Sequence, residues 1–119
     1  KANVSEVMNI IGDVKGKKCI ILDDMVDTAG TLCNAAKALI EIGGALSVTA
    51  CATHGPLSGP AIQRIKDSVL EELVLLDTIP VSEEKREECG KITVLPVAPV
   101  FAEAIERIYE DKPVSPLFG

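Results

Sequence analysis

The sequence contains few aromatic residues and no tryptophan, which limits the kind of core that the chain can form. Only 3% of the residues are aromatic, whereas 47% are hydrophobic. The core is therefore expected to consist mainly of Val, Ile, Leu and Ala, a composition typical of a parallel sheet that is covered by helices. With 119 residues, the chain is expected to form a single domain, residues 1–119.

The sequence also lacks long apolar runs and an excess of basic residues, which argues against membranes and nucleic acids as partners. No apolar run approaches the ~18 residues of a membrane-spanning helix, and no basic segment precedes a short apolar one as in a secretion signal. Lys and Arg number 12 against 18 Asp and Glu, so the net charge is -6, and no local basic patch offsets the repulsion of nucleic acids. We therefore expect neither a membrane nor a nucleic acid as a partner.

The four cysteines show no Cys-x-x-Cys spacing. Cys19 and Cys51 lie in apolar, strand-like runs, where cysteine usually behaves as a small buried hydrophobic residue. The cysteines are therefore predicted to be reduced thiols in a cytoplasmic protein.

Apolar runs and helical periodicities alternate along the chain. The patterns predict strands over 18–22, 46–53, 72–77 and 92–97, helices over 31–42, 60–66 and 100–109, and a solvated helix or loop over 82–88. An apolar run and a glycine-rich turn within residues 4–16 indicate an N-terminal β-hairpin, a flap at the edge of the sheet. Alternating strands and helices imply right-handed crossovers, so the predicted fold is α/β, with a mostly parallel sheet flanked by helices.

Polar residues follow three of the predicted strands at the point where each strand ends. They are Asp23 and Asp24, Thr53 and His54, and Asp77 and Thr78. Ligands of parallel sheets bind beyond the carboxyl ends of the strands. The sequence therefore predicts one crevice that all three strand ends can face.

The segment 27–31, Asp-Thr-Ala-Gly-Thr, connects a predicted strand to a helix N-terminus, where free backbone N–H groups and the helix dipole favour an anion. Gly30 permits a close approach of the backbone, and the hydroxyls of Thr28 and Thr31 can donate hydrogen bonds to phosphate oxygens. Thr31 is also a candidate N-cap of the helix. An acidic turn that merely starts a helix explains Asp27 and Thr28 equally well, so the spacing alone leaves both interpretations open.

Asp23 and Asp24 form an adjacent carboxylate pair at a strand end. Strand alternation sends their side chains to opposite faces unless the loop begins there. Carboxylate oxygens suit either Mg²⁺ or the two hydroxyls of a sugar ring.

The complete string, an apolar strand followed by Asp-Asp, two apolar residues and Asp-Thr-Ala-Gly-Thr, closely resembles the phosphoribosyl-diphosphate motif of type I phosphoribosyltransferases and ribose-phosphate pyrophosphokinases. The segments 7–14, 53–61, 77–80 and 102–105 resemble the C-terminal domain of the pyrophosphokinases, and the likeness covers essentially the whole chain. The resemblance assigns the ribose hydroxyls and a metal ion to Asp23 and Asp24, and the 5′-phosphate to Asp27, Thr28, Ala29, Gly30 and Thr31.

Pyrophosphokinases of this family transfer the diphosphate of ATP to the anomeric hydroxyl of ribose 5-phosphate. The resemblance therefore implies ribose 5-phosphate, ATP and Mg²⁺ as ligands and a homo-oligomeric protein. In the family, the N-terminal domain supplies most of the ATP site. We therefore expect this chain alone to bind ribose 5-phosphate without transferring diphosphate. We assign no catalytic residue. Two alternatives are a non-catalytic, synthetase-associated regulatory paralogue and a base-specific phosphoribosyltransferase.

Four further residues are candidates for accessory roles. His54, the only histidine, suits either a hydrogen bond to a phosphate or sugar oxygen or one that orients a loop. Ser58 suits either an anion site or the cap of the helix that follows. The C-terminal tail resembles the segment whose serines line a regulatory nucleotide or phosphate site in the family; Ser115 and Phe118 match that pattern, whereas Pro113 replaces a serine.

Overall fold

The computed structural model describes residues 10 and 12–118. Strands β1 (Lys18–Met25), β2 (Ser47–His54), β3 (Leu70–Leu76) and β4 (Ile92–Leu95) alternate with helices α1 (Gly30–Glu41), α2 (Ala61–Asp67), α3 (Glu83–Cys89) and α4 (Ala98–Tyr109), and a 3₁₀ turn follows at Ser115–Phe118. This arrangement confirms the predicted α/β class. The predicted hairpin flap falls on residues 4–16, of which 4–9 and 11 lie outside the described residues.

The four strands form one sheet in the order β1-β2-β3-β4, and every neighbouring pair is parallel. Right-handed crossovers in a sheet of sequential order place every connecting helix on the same face. Helices α1, α2 and α3 accordingly pack side by side on one face of the sheet.

The core lies between this face and the three helices. Alternate strand residues are buried there because successive side chains of a strand point to opposite faces. The strand contribution comes from Val48, Ala50, Ala52, Leu70, Leu73 and Leu75, and the helical one from Leu32, Ala36, Ala61, Ile62, Ile65 and Cys89. The core is thus aliphatic, as the composition predicted.

The opposite face of the sheet is different. On β1, Ile20 and Leu22 are 68% and 79% exposed, so no helix covers this part of the sheet within the described residues. Helix α4 contains no buried residue, and its large apolar side chains, among them Phe101 and Ile105, are exposed. The sheet was expected to be flanked by helices. Within the described residues, helices cover only one of its faces.

Two predicted boundaries differ from the structure in ways that affect the site. Strand β1 continues to Met25, so both Asp23 and Asp24 belong to the strand. Helix α1 begins at Gly30, one residue earlier than predicted. The charged segment is helical as α3, since Ser82 caps it by accepting a hydrogen bond from the Lys85 N–H at 3.2 Å.

None of the helices within residues 12–118 has the length and the apolar content that a bilayer crossing requires.

Candidate functional site

The three polar strand ends lie together, as predicted. Strands β1, β2 and β3 are adjacent and parallel, so their carboxyl ends share one edge of the sheet. A side-chain contact links two of them directly, because His54 Nδ1 lies 2.7 Å from Thr78 Oγ1. The edge is thus a connected polar surface.

The hydrogen bonds of Thr78 select one tautomer of the His54 ring. The Thr78 hydroxyl donates its single proton to the Thr53 carbonyl oxygen at 2.9 Å, so towards His54 its oxygen acts as an acceptor. His54 Nδ1 must therefore carry a proton, and in the neutral ring Nε2 is the unprotonated nitrogen. The hydrogen bond to Thr78 is the orienting contact that the sequence analysis considered for His54. The other ring nitrogen, Nε2, is not part of this contact.

Asp77 has a structural contact at this edge. Its carboxylate accepts a hydrogen bond from the Val97 N–H at 2.9 Å, and its own N–H donates to the Leu95 carbonyl at 3.0 Å. Asp77 therefore holds the connection between β4 and α4.

Residues 26–29 form a loop between β1 and α1, and its backbone is anchored from the neighbouring strand. The N–H of Val26, which is 2% exposed, donates to the His54 carbonyl at 2.9 Å. The carbonyls of Val26 and Asp27 accept from the N–H groups of Leu57 and Ser58 at 3.3 and 3.0 Å. We call residues 26–32, which include the first turn of α1, the phosphate loop, after the 5′-phosphate role that the sequence resemblance assigns to residues 27–31.

A side-chain hydrogen bond adds to this anchoring, because the Ser58 hydroxyl donates to the Asp27 carboxylate. The alternative that Ser58 caps α2 is wrong: the N-cap of α2 is Pro60, and it makes no side-chain cap hydrogen bond. Ser58 instead braces the phosphate loop.

The start of α1 leaves several backbone donors free. Its N-cap is Ala29, in the left-handed conformation with φ 67°, and no side chain caps the helix. The expected capping by Thr31 is therefore wrong, because Thr31 already lies within the first turn. The Cys33 N–H makes the first helical bond, to Ala29 at 3.0 Å, so the N–H groups of residues 30–32 have no intrahelical acceptor.

The residues that carry these donors line a cavity of about 280 Å³, together with Asp23 and the rest of residues 25–32. Free N–H groups at the positive end of a 12-residue helix favour an anion such as phosphate. Asp24 does not line the cavity, and strand alternation directs its side chain to the opposite face. The structure thus brings all the predicted phosphate-loop residues together with Asp23 but separates the two carboxylates.

A larger cleft, of about 690 Å³, lies between α1 and α2 and shares only Gly30 with the lining of the loop cavity. We favour the smaller cavity as the site, because it lies at the strand ends and has convergent N–H donors. In the cleft, burial raises the pKa of the Cys33 thiol, which keeps it protonated and weakly nucleophilic near neutral pH. All four cysteines are free thiols.

Two residues at the site were not found from the sequence. Leu57 is 1% exposed with a left-handed φ of 49°, and its carbonyl accepts from Lys85 Nζ at 3.2 Å. Arg64 on α2 donates from Nη1 to the Thr28 carbonyl at 3.2 Å. An apolar residue between Gly-Pro and Ser-Gly was a signal for Leu57, whereas the sequence gives no signal for Arg64.

The tail residues lie apart from the loop cavity. Ser115 and Phe118 belong to the 3₁₀ turn after α4, and neither lines the cavity. The side chain of Phe118 lies outside the described residues. Arg107 on α4 donates to the Pro113 carbonyl at 3.2 Å and so holds the start of the tail.

Comparison with known proteins adds a family. The model of the phosphoribosyl synthetase-associated domain matches residues 2–119. Over 118 residues the chain is 64% identical to a ribose-phosphate pyrophosphokinase of Clostridium acetobutylicum and 63% identical to one of Caldanaerobacter subterraneus subsp. tengcongensis. The crystal structure of phosphoribosylpyrophosphate synthetase from Mycobacterium smegmatis matches 85% of the chain, with a TM-score of 0.75 and 44% identity.

These relatives are longer proteins. Each alignment to the two pyrophosphokinases covers 99% of this chain and 36% of the relative, and the match to the crystal structure covers 33% of that chain. The chain therefore spans about a third of the length of the proteins that it matches.

Proposed function

The chain belongs to the family of the phosphoribosyl synthetase-associated domain, and we propose that it forms the ribose 5-phosphate-binding part of a ribose-phosphate pyrophosphokinase. In this proposal, the cytoplasmic, homo-oligomeric protein transfers the diphosphate of ATP to the anomeric hydroxyl of ribose 5-phosphate and releases phosphoribosyl diphosphate and AMP. The observation that carries the proposal is the loop cavity, which combines free helix N-terminal donors with the carboxylate of Asp23. The names of the relatives support the reaction.

The phosphate loop binds the 5′-phosphate in this proposal. The N–H groups of Gly30, Thr31 and Leu32 have no intrahelical acceptor and can donate to phosphate oxygens, and the exposed hydroxyls of Thr28 and Thr31 add two donors. Because the loop backbone is already anchored to residues 54–58, little reorganisation is needed on binding. The loop thus acts as a preorganised anion site.

Asp23 and Asp24 orient the sugar in this proposal. Asp23 lines the cavity and can accept hydrogen bonds from ribose hydroxyls. One of its oxygens, Oδ1, already accepts from the Asp24 N–H at 2.8 Å, which fixes the direction of the carboxylate. Asp24, on the other side of β1, is available to the part of the substrate that lies over that face.

The residues present fit an open Mg²⁺ site. Within residues 10 and 12–118 no group of three or more His, Cys, Asp or Glu is placed to hold a metal, which argues against an all-protein cage. Mg²⁺ usually takes one or two carboxylates together with water and substrate oxygens, so a single exposed carboxylate, Asp23 in the loop cavity or Asp24 on the other face of β1, could supply the protein ligand. When bound, the ion would neutralise negative charge on the transferred diphosphate.

Contacts to ATP are proposed to come mainly from the two thirds of the relatives' length that this chain does not span. Without them, the chain would bind the acceptor sugar phosphate but would not transfer diphosphate. A release of diphosphate that depended on an added nucleobase would instead favour a base-specific phosphoribosyltransferase.

Calorimetric titration with ribose 5-phosphate and Mg²⁺ tests the proposal. The double variant Thr28→Val/Thr31→Val is expected to lose at least tenfold in affinity, since two hydrogen bonds to a charged phosphate are worth about 1.4 kcal/mol or more even at an exposed site. Thr49→Val, on β2 and away from the loop, is the matched control and should bind like the parent chain. Absence of binding to the parent chain, or equal binding by the double variant, would contradict the proposal.

A further inference from the structure

Arg64 contacts the phosphate loop from the cleft between α1 and α2. Its Nη1 donates to the Thr28 carbonyl at 3.2 Å, and it lines the cleft between α1 and α2. It is not among the residues that line the loop cavity. Arg64 therefore acts on the loop backbone rather than on a ligand held in the cavity.

The contact fixes the direction of one peptide group. In a trans peptide, the carbonyl of one residue and the N–H of the next point in opposite directions. Because the Thr28 carbonyl points to Arg64, the Ala29 N–H points away from Arg64, and Ala29 lines the loop cavity whereas Arg64 does not. Arg64 thus adds a fourth backbone donor to those of residues 30–32.

The observed orientation of the Thr28–Ala29 peptide is unfavourable unless another contact stabilises it. Ala29 has φ 67°, a region that residues other than glycine rarely adopt, and no side-chain cap holds the start of α1. Rotation of the Thr28–Ala29 peptide would relieve Ala29 but would turn its N–H towards Arg64. The hydrogen bond from Arg64 opposes that rotation.

Gly30 makes room for this contact. A Cβ atom added at Gly30 would lie 3.0 Å from Arg64 Nη1, which is closer than most real contacts of a Cβ atom. The absence of a side chain at Gly30 therefore lets the guanidinium lie directly against the loop.

We propose that Arg64 is a positioning residue for the 5′-phosphate, because it holds the Thr28–Ala29 peptide in the orientation that aims the Ala29 N–H at the phosphate. The inference rests on the proposed function for the identity of the ligand. The orientation of the peptide is independent of that function and can be measured without a ligand.

The test uses nuclear magnetic resonance of the isotopically labelled chain in two steps. The backbone coupling constants of Ala29, which report its φ, are first measured without ligand, and ribose 5-phosphate is then titrated. In Arg64→Ala and Arg64→Gln, we expect Ala29 to leave the left-handed conformation and the affinity to fall about tenfold, or about 1.4 kcal/mol. Arg64→Lys keeps one donor and should recover part of the affinity.

Two controls separate positioning from charge. Lys66→Ala removes a positive charge from an exposed position of the same helix and should change neither measurement. Ala29→Gly in the Arg64→Ala background should restore part of the affinity, because glycine adopts the left-handed conformation without steric cost. Rescue of this kind is not expected if Arg64 only contributes charge.

The outcomes are distinguishable. An unchanged φ of Ala29 in both Arg64→Ala and Arg64→Gln would overturn the inference, as would an equal loss of affinity in Lys66→Ala. Failure of the parent chain to bind ribose 5-phosphate would overturn the proposed function, and the ligand-free couplings would still decide whether Arg64 orients the peptide.

Discussion

Substitution of Gly55 by alanine is expected to destabilise the fold at the point where β2 leads into the site. Gly55 is buried, and an added Cβ atom would lie no more than 3.1 Å from three side-chain atoms of Leu75, Cγ and both Cδ atoms. Leu75 is itself 0% exposed, so its branched end is confined by the core. Overpacking of this kind costs about 1–3 kcal/mol, and three short contacts place this case at roughly 2–3 kcal/mol.

Such a loss is a large fraction of the stability of a small domain, which is about 5–15 kcal/mol. For a chain of this length it corresponds to a fall in Tm of roughly 8–12 °C. Urea denaturation followed by circular dichroism measures the free energy of unfolding, and calorimetry measures Tm. A variant whose free energy of unfolding stayed within roughly 0.5 kcal/mol of the parent, the range typical of neutral surface changes, would show that the clash is absent.

A double-mutant cycle makes the cause specific. Leu75→Val removes the two Cδ atoms that an alanine at position 55 would meet, and alone it should cost about 1 kcal/mol. Combined with Gly55→Ala, it should cost at least about 1 kcal/mol less than the sum of the single variants. Strict additivity would refute the steric reasoning.

Three other predictions concern contacts around the site. Ser58→Ala removes the donor to the Asp27 carboxylate and should weaken binding of ribose 5-phosphate by roughly three- to tenfold, measured by calorimetry; equal affinity would argue against the brace. Thr78→Val removes the acceptor of the His54 Nδ1–H, so ¹⁵N spectra of the imidazole should change from one tautomer to a mixture. Burial raises the pKa of Cys33, so the folded chain holds the thiol proton more tightly than the unfolded chain. The stabilisation from this proton is complete below the ordinary thiol pKa and is lost as the pH rises through the raised pKa. Cys33→Ala should therefore flatten the fall in the free energy of unfolding at alkaline pH.

Local patterns were sufficient to predict much of the fold and the place of the candidate site at the strand ends. An apolar run that stops at Asp23 and a helical periodicity that begins near Thr31 are both features of neighbouring residues. They define a strand, a short loop and a helix without reference to the rest of the chain. The alignment of His54 with this loop followed from the geometry of parallel strands, which is general.

The remaining features depend on contacts between distant residues. Arg64 and Thr28 are 36 residues apart, and Ser58 and Asp27 are 31 residues apart, so neither pair leaves a periodic signal. The strand order is also non-local, and it decides that all three covering helices lie on one face. The separation of the Asp23 and Asp24 side chains depended on where β1 ends, and strand ends are among the least certain features of a sequence.

The most direct test of the account is a titration of the ¹⁵N-labelled chain with ribose 5-phosphate, followed by the backbone amide signals. The account predicts that the largest shifts occur at Ala29, Gly30, Thr31 and Leu32, whose N–H groups have no intrahelical acceptor, while Lys37 and Gln63 in the larger cleft stay unchanged. Shifts confined to the cleft between α1 and α2, or no shifts at saturating ligand, would contradict the claim that the phosphate loop binds this substrate.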